Sequence, residues 1–239
     1  LAHLLKIPVF GRWTFSYGKT MHNTLQRFFQ QWLERTGERQ GSLFSMPSET
    51  DETIPVSKEE LLSLYDACWQ DEWYQDDAQR NEYRQRGKQA LTAYHQWLTE
   101  HQPRPLFLEQ GFTIPISGVI IKGRIDRIDA YQDGVEVIDY KTGRPKTEKD
   151  LEWSDKDQLL LYQLACERVL KLKPKRLTFH YLENHSMVSF LGTSAQLAAF
   201  EERVIASATA IRGSQFQATA GYHCRFCDFA SICEFRKMA

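Results

Sequence analysis

The stretch from Phe107 to Lys141 constrains the fold more than any other part of the chain. Phe107, Phe112, Ile114, Ile116, Val119, Ile120, Ile121, Ile125, Ile128, Val135, Val137 and Ile138 run through it, broken by Gly and Pro. β-Branched and aromatic residues in short runs between turn formers read as strands. Asp133-Gly134, set between two apolar runs, predicts a hairpin with those two residues as its loop. A sheet therefore occupies the middle of the chain, and the segments around it must cover it.

Those segments read as helices. From Lys19 to Arg35, Met21, Leu25, Phe28, Phe29, Trp32 and Leu33 recur at helical spacing. A polar connection follows from Glu34 to Pro55. Ser57 with Glu60 three residues on forms a capping-box pattern that opens the next helix. A further helix spans Asp77–Glu100 and is closed by Pro103 and Pro105. Beyond the strands, the pattern predicts a helix over Ser154–Leu170, strands near Arg176–Leu182 and Met187–Leu191, and a long helix over Ser194–Arg212. Helices, three strands, a helix, two strands and a helix make an α/β chain with one mixed sheet flanked by helices.

Charge and cysteine content narrow the function. Thirty basic and 31 acidic residues leave a net charge of −1, so no global field attracts a polyanion, and any nucleic-acid contact must be local. No apolar run reaches the ~20 residues of a membrane span. Five cysteines are too few for a disulfide scaffold, which points to the cytoplasm. The chain begins with Leu1 and has no signal-type segment, so we expect the C-terminal part of a longer polypeptide.

The hairpin carries the chemistry. Side chains alternate along a strand, so Asp139 and Lys141 share a face. With Asp133-Gly134 as the loop, Gln132 pairs with Val135, Asp126 falls opposite Lys141, and Ile128 falls opposite Asp139. Asp126, Asp139 and Lys141 then lie on one face, with the two aspartates as diagonal neighbours and Asp129 on the other side. Two carboxylates beside a lysine suit Mg²⁺ or Mn²⁺ at a phosphate; a solvated, salt-bridged hairpin edge would use the same residues. Gln158 and Tyr162 share one face of the following helix. Glu109 is a further acidic candidate with no assigned role.

Gly123-Arg-Ile-Asp-Arg-Ile-Asp129, Val137-Ile-Asp-Tyr-Lys-Thr-Gly143 and Gln158-Leu-Leu-Leu-Tyr162 resemble, in this order, the motifs of the PD-(D/E)XK nucleases of the RecB-like branch. Tyr17-Gly-Lys-Thr-Met-His22 resembles the histidine element that precedes them. The resemblance runs from about Ile7 to Arg236. It implies a restriction-endonuclease-like core within a single domain over 1–239, comprising a helical region (1–104), a catalytic sheet (105–192) and a C-terminal helix with a Cys-rich tail (193–239). It implies that His22, Asp126, Asp139 and the main-chain carbonyl of Tyr140 bind the metal. Lys141 then completes catalysis, with Gln158 and Tyr162 in the active site.

Cys224, Cys227 and Cys233 fall within ten residues, a spacing suited to one zinc or iron–sulfur centre. Similarity to AddB-type and CRISPR-associated relatives favours iron–sulfur, with a fourth ligand upstream of Leu1. Cys68 and Cys166, inside helices, read as packed thiols. Arg144, Lys146 and Gln158 are candidate DNA contacts. Trp69, Trp73, Tyr74 and Trp97 could stack on bases, though core packing suits most of them better. The resemblance also implies an enzyme acting on DNA, preferentially single-stranded, in recombination and repair. Its partner would be a helicase motor similar to UvrD-like enzymes. The competing readings are a catalytically inactive nuclease fold that binds DNA or acts as a scaffold, and a zinc-stabilised interaction module with an incidental acidic hairpin.

Overall fold

The computed structural model describes residues 11–37, 54–214, 219–227, 229–230 and 232–235. Helix α1 spans Trp13–Thr36, and α2 (Lys58–Cys68) and α3 (Asp77–His101) follow. The sheet then forms from β1 (Pro105–Ile116), β2 (Val119–Tyr131) and β3 (Gly134–Lys141). Helix α4 (Trp153–Ala165, extended by a π-helical turn Cys166–Leu170) crosses to β4 (Pro174–Tyr181). Strand β5 (Met187–Phe190) and helix α5 (Ser194–Arg212) complete the fold. The strand order is β1-β2-β3-β4-β5. Only β3 and β4 run parallel; the other neighbours are antiparallel. This is the mixed sheet flanked by helices that the sequence pattern implies. The polar connection falls largely on 38–53, outside the described residues, and no helix among those described is long and apolar enough to cross a membrane.

The helix ends follow from their sequences. Ser57 Oγ accepts from the Glu60 N–H and Glu60 Oε2 accepts from the Ser57 N–H, completing the capping box of α2. Asp76 caps α3 through the Gln79 N–H. Gly37 ends α1 at φ 71°, a left-handed geometry that costs glycine little. Helix α1 starts earlier than Lys19, because Trp13 and Tyr17 carry the stripe of Met21 and Leu25 back toward its amino end at four-residue spacing, and Ser16 Oγ donates to the Glu72 carbonyl.

Two cores lie on opposite sides of the sheet. Met21, Leu25, Phe28 and Phe29 of α1, with Leu61, Leu91 and Tyr94, cover one face and meet Ile138 and Tyr140. Leu159, Leu160 and Tyr162 of α4 and Phe200 of α5 cover the other, against Ile128, Val135, Val137 and Phe179. Val135–Tyr140 is buried throughout, as expected of a central strand covered on both faces.

The hairpin register differs from the sequence expectation. Tyr131 pairs with Gly134, so the loop is Gln132-Asp133. Gln132 takes the positive φ (50°) at the first loop position, the type II′ pattern. Gly134 serves packing instead: a Cβ there would lie 2.2 Å from the Lys173 carbonyl oxygen. Asp133 is held by Lys173 and Lys175 at 2.6 and 2.8 Å. The shift moves each partner by two residues, so every side chain keeps its predicted face.

On the α1 side of the ribbon, Arg127 is only 1% exposed. Its Nη1 donates to the hydroxyls of Tyr94 (2.8 Å) and Tyr140 (2.7 Å), and its Nε lies 2.9 Å from Asp129. The guanidinium sits 4.3 Å from the centroid of the Phe29 ring. Burial alone would discharge it, but the Asp129 carboxylate and the phenol oxygens hold it charged. Arg127→Met strands a buried carboxylate and is expected to cost roughly 3–5 kcal/mol in urea unfolding. Adding Asp129→Asn should recover much of that loss; equal losses in the single and double variants would show that the pair does not act as a unit.

Candidate active site

The β2–β3 ladder ends at Arg127 opposite Ile138. Continuing that register places Asp126 opposite Asp139, directly across rather than diagonally. On the other flank, Leu108 pairs with Arg127 and Gln110 with Ile125, which puts Glu109 opposite Asp126. Three carboxylic side chains thus stand at one level across three adjacent strands. Beyond the ladder, the Tyr140 N–H donates to Asp126 Oδ2 at 3.0 Å, so a side-chain carboxylate engages the β3 backbone.

Helix α4 closes this face. Gln158 Nε2 donates to Asp139 Oδ1 at 2.7 Å and to the Tyr162 hydroxyl at 3.0 Å. Lys141 Nζ donates to Gln158 Oε1 at 2.7 Å and lies 2.6 Å from Asp139 Oδ2. An ammonium only donates and a carboxylate only accepts, so the amide can satisfy both in one orientation alone. The lysine also lies 4.9 Å from the Phe179 ring centroid. From α1, His22 Nδ1 comes within 3.3 Å of Asp126 Oδ2, and its ring stands edge-on to Tyr140.

The electrostatics follow from burial. Asp139 is 2% exposed, and burial together with the Asp126 charge pushes its pKa up to about 6, against the pull of Lys141. Burial works against the imidazolium of His22, but the hydrogen bond to Asp126 and the fields of Asp126, Asp139 and Glu109 outweigh it and raise its pKa. Burial and Asp126 likewise raise Glu109, whose nearest cation is Arg124 at 3.6 Å. Glu109 adopts φ 48° within a strand, a left-handed geometry that costs energy for a non-glycine residue. Burial also raises the Tyr162 hydroxyl, with Asp139 adding to it.

The predicted His22, Asp126, Asp139, Lys141, Gln158 and Tyr162 are therefore all brought together, and the Tyr140 main chain lies against Asp126. Among the described residues no three His, Cys, Asp or Glu side chains converge closely enough to hold an ion as they stand. Asp139 is engaged by Gln158 and Lys141, and Asp126 Oδ2 by Tyr140 and His22. The donors themselves, carboxylate oxygens and an imidazole with buried negative charge among them, are of the type that a hard divalent cation takes.

Other predicted residues are less committed. Lys146 is paired with Asp155 at 2.7 Å, in the first turn of α4. Arg144 is exposed and lines a cavity that begins at Thr142. Cys224 and Cys233 are half-buried and Cys227 is exposed, all free thiols that do not gather into a cluster. Cys68 and Cys166 are buried free thiols, the latter pushed up to about 12 by burial. Trp69 stacks on Tyr74, and Trp97 stacks on Tyr94 and His101. Sequence reasoning missed the Arg127 anchor. Its signal was present, because Arg127 and Asp129 alternate onto the face opposite Asp126.

The model of the PD-(D/E)XK nuclease superfamily matches residues 3–234, and the chain belongs to that superfamily. Its members are generally nucleases. No curated protein sequence matches the chain. Among solved structures, the crystal structure of SSO0001 is similar over 67% of this chain and 81% of its own, at 18% identity and a TM-score of 0.35, a likeness too distant to bear on the fold.

A carboxyl whose pKa rises on folding costs stability as pH climbs from its ordinary value of 3.8 to about 6, and the cost persists above. Asp139→Asn, measured in chelator near neutral pH, should therefore be more stable than the parent by up to roughly 2–3 kcal/mol. The gap should close near pH 4. A variant less stable than the parent at neutral pH would contradict the cost of burying this carboxylate beside Asp126.

Proposed function

We propose that this chain is a Mg²⁺- or Mn²⁺-dependent deoxyribonuclease of the RecB-like branch that hydrolyses phosphodiester bonds in DNA, with single strands preferred. The observation that carries this reading is the placement of Asp126, Asp139 and Lys141 on one face of the β2–β3 ribbon, cross-linked to α4 by Gln158, in a chain of nuclease ancestry. His22, Asp126, Asp139 and the Tyr140 carbonyl would hold the cation. When bound, the cation supplies Lewis-acid polarisation of a phosphoryl oxygen.

This chain's own groups do the rest. Asp126 and Asp139 concentrate negative charge where a cation and a phosphate must meet. Lys141, at the edge of the acidic cluster, would offset with its ammonium the charge developing on the scissile phosphate. Gln158 fixes Asp139 and Lys141 relative to each other, and Tyr162 fixes Gln158, which makes Tyr162 a positioning residue. Arg144 and Lys146 lie just beyond Lys141 on the chain, where they can contact the backbone of the strand without reading bases; Lys146 must exchange Asp155 for phosphate to do so.

The motif set also supports a place in recombination and repair, as the nuclease module of a helicase–nuclease polypeptide. The spacing of Cys224, Cys227 and Cys233 supports an iron–sulfur centre as a further part of this reading. One observation favours the alternative of a non-cleaving DNA-binding module: both aspartates already have protein partners.

Cleavage of a single-stranded oligonucleotide by the purified chain separates the two. We expect activity with Mg²⁺ or Mn²⁺ and none in chelator. Asp139→Ala and Lys141→Ala should lower the rate at least about 10²–10³-fold, and Gln158→Ala roughly 10–100-fold, with melting curves showing that the variants remain folded. DNA binding without cleavage under any divalent cation, or full activity of the Asp139 or Lys141 variant, would overturn the assignment.

A further inference from the structure

A cavity of about 430 Å³ opens beside the candidate active site, lined by Trp13, Tyr17, Tyr83, Arg86, Arg144 and Glu183 around the Thr142-Gly143 backbone. The nuclease reading does not require it. We infer that it is a base-stacking subsite, which receives a nucleobase of the single strand whose scissile phosphate lies at Lys141. This inference rests on the nuclease reading and deepens it.

Position comes first. The chain runs from Lys141 through Thr142 and Gly143 to Arg144, so the catalytic strand leads straight into the cavity wall. The opposite wall is α1. Gly18 approaches Thr142 so closely that a Cβ there would lie 3.4 Å from Thr142 Oγ1. Tyr17 and His22 sit on the same helix, separated by about 7.5 Å of rise. One rigid helix therefore borders both the acidic cluster and the cavity, and fixes the distance between them.

Chemistry decides the class of ligand. Trp13 and Tyr83 have ring centroids 4.1 Å apart, and Tyr17 meets Tyr83 edge-on at 5.2 Å, which makes an aromatic lining. Arg86 lies over the Tyr83 ring at 5.6 Å and is ion-paired with Glu183. That pairing cancels its charge and leaves Arg144 as the cation available to a phosphate at the rim. The amino end of α1, with no acidic residue in its first turn, opens on the same space. A lone phosphate has no use for three aromatic rings, and a purely apolar ligand would desolvate the Arg86–Glu183 pair without return. A nucleotide matches both halves: a flat π-face for the rings, polar edges for the ion pair, and a phosphate for Arg144. The volume falls within the range of small-ligand sites.

The test uses the whole chain in chelator, where nothing is cut. An oligothymidylate carrying 5-iodo-deoxyuridine is photo-crosslinked to the protein, and the adduct is mapped by mass spectrometry. Adducts on Trp13 or Tyr83 are expected. Trp13→Ala and Arg144→Ala should each weaken oligothymidylate binding, the former roughly tenfold for the loss of one stacking partner. If adducts form in the cavity but no cation supports cleavage, the subsite stands and the nuclease reading falls. If the parent cuts DNA while adducts avoid the cavity and both variants bind like the parent, the subsite is overturned and the nuclease reading survives. The crosslink is read on the unaltered protein, so misfolding of a variant does not obscure the result.

Discussion

The burial of Asp139 beside the charge of Asp126 is the constraint that the elements around them answer. Two carboxylates held at the same level on neighbouring strands, one of them almost fully buried, are costly unless positive charge or donors compensate. Each nearby element supplies a share: Lys141 from the same strand, Gln158 from α4, the Tyr140 N–H from the backbone and His22 from α1. The result is a cluster in which two carboxylates are met by a small, fully used set of donors. Structural carboxylates are ordinarily paired off once; here two share a small set of donors.

The opposite face of the same ribbon has the inverse arrangement. Arg127 is a buried cation surrounded by Asp129 and two tyrosine hydroxyls. Tyr140 joins the two faces, because its hydroxyl binds Arg127 while its N–H binds Asp126. The residue between the two motif positions Asp139 and Lys141 is thereby locked from behind. A cleft that must hold acidic groups within a few tenths of an ångström gains from such a fixed wall.

Much of this was legible in the sequence, and for identifiable reasons. The strands of 105–141 declared themselves through β-branched residues, and α5 over Ser194–Arg212 through its helical pattern. The shared face of Asp126, Asp139 and Lys141 followed from alternation alone. It survived a wrong loop, because a shift of partners by two residues preserves side-chain direction. The loop itself was misread since Gly134 looks like a turn residue but is demanded by the close approach of the Lys173 carbonyl. Long-range facts were not legible locally. The approach of His22 to Asp126, the alignment of Glu109 with both aspartates, and the capture of Lys146 by Asp155 all depend on how distant elements dock. The gathering of the motif residues was expected only because the chain resembled a family in which they gather.

The central claim is that the acidic pair exists to bind a divalent cation. Calorimetric titration of the whole chain with Mn²⁺ in the absence of DNA tests it most directly. The account predicts saturable binding that Asp126→Asn removes, with protons released as the cation displaces them from the cluster. Titration curves that match between the parent and that variant would contradict it.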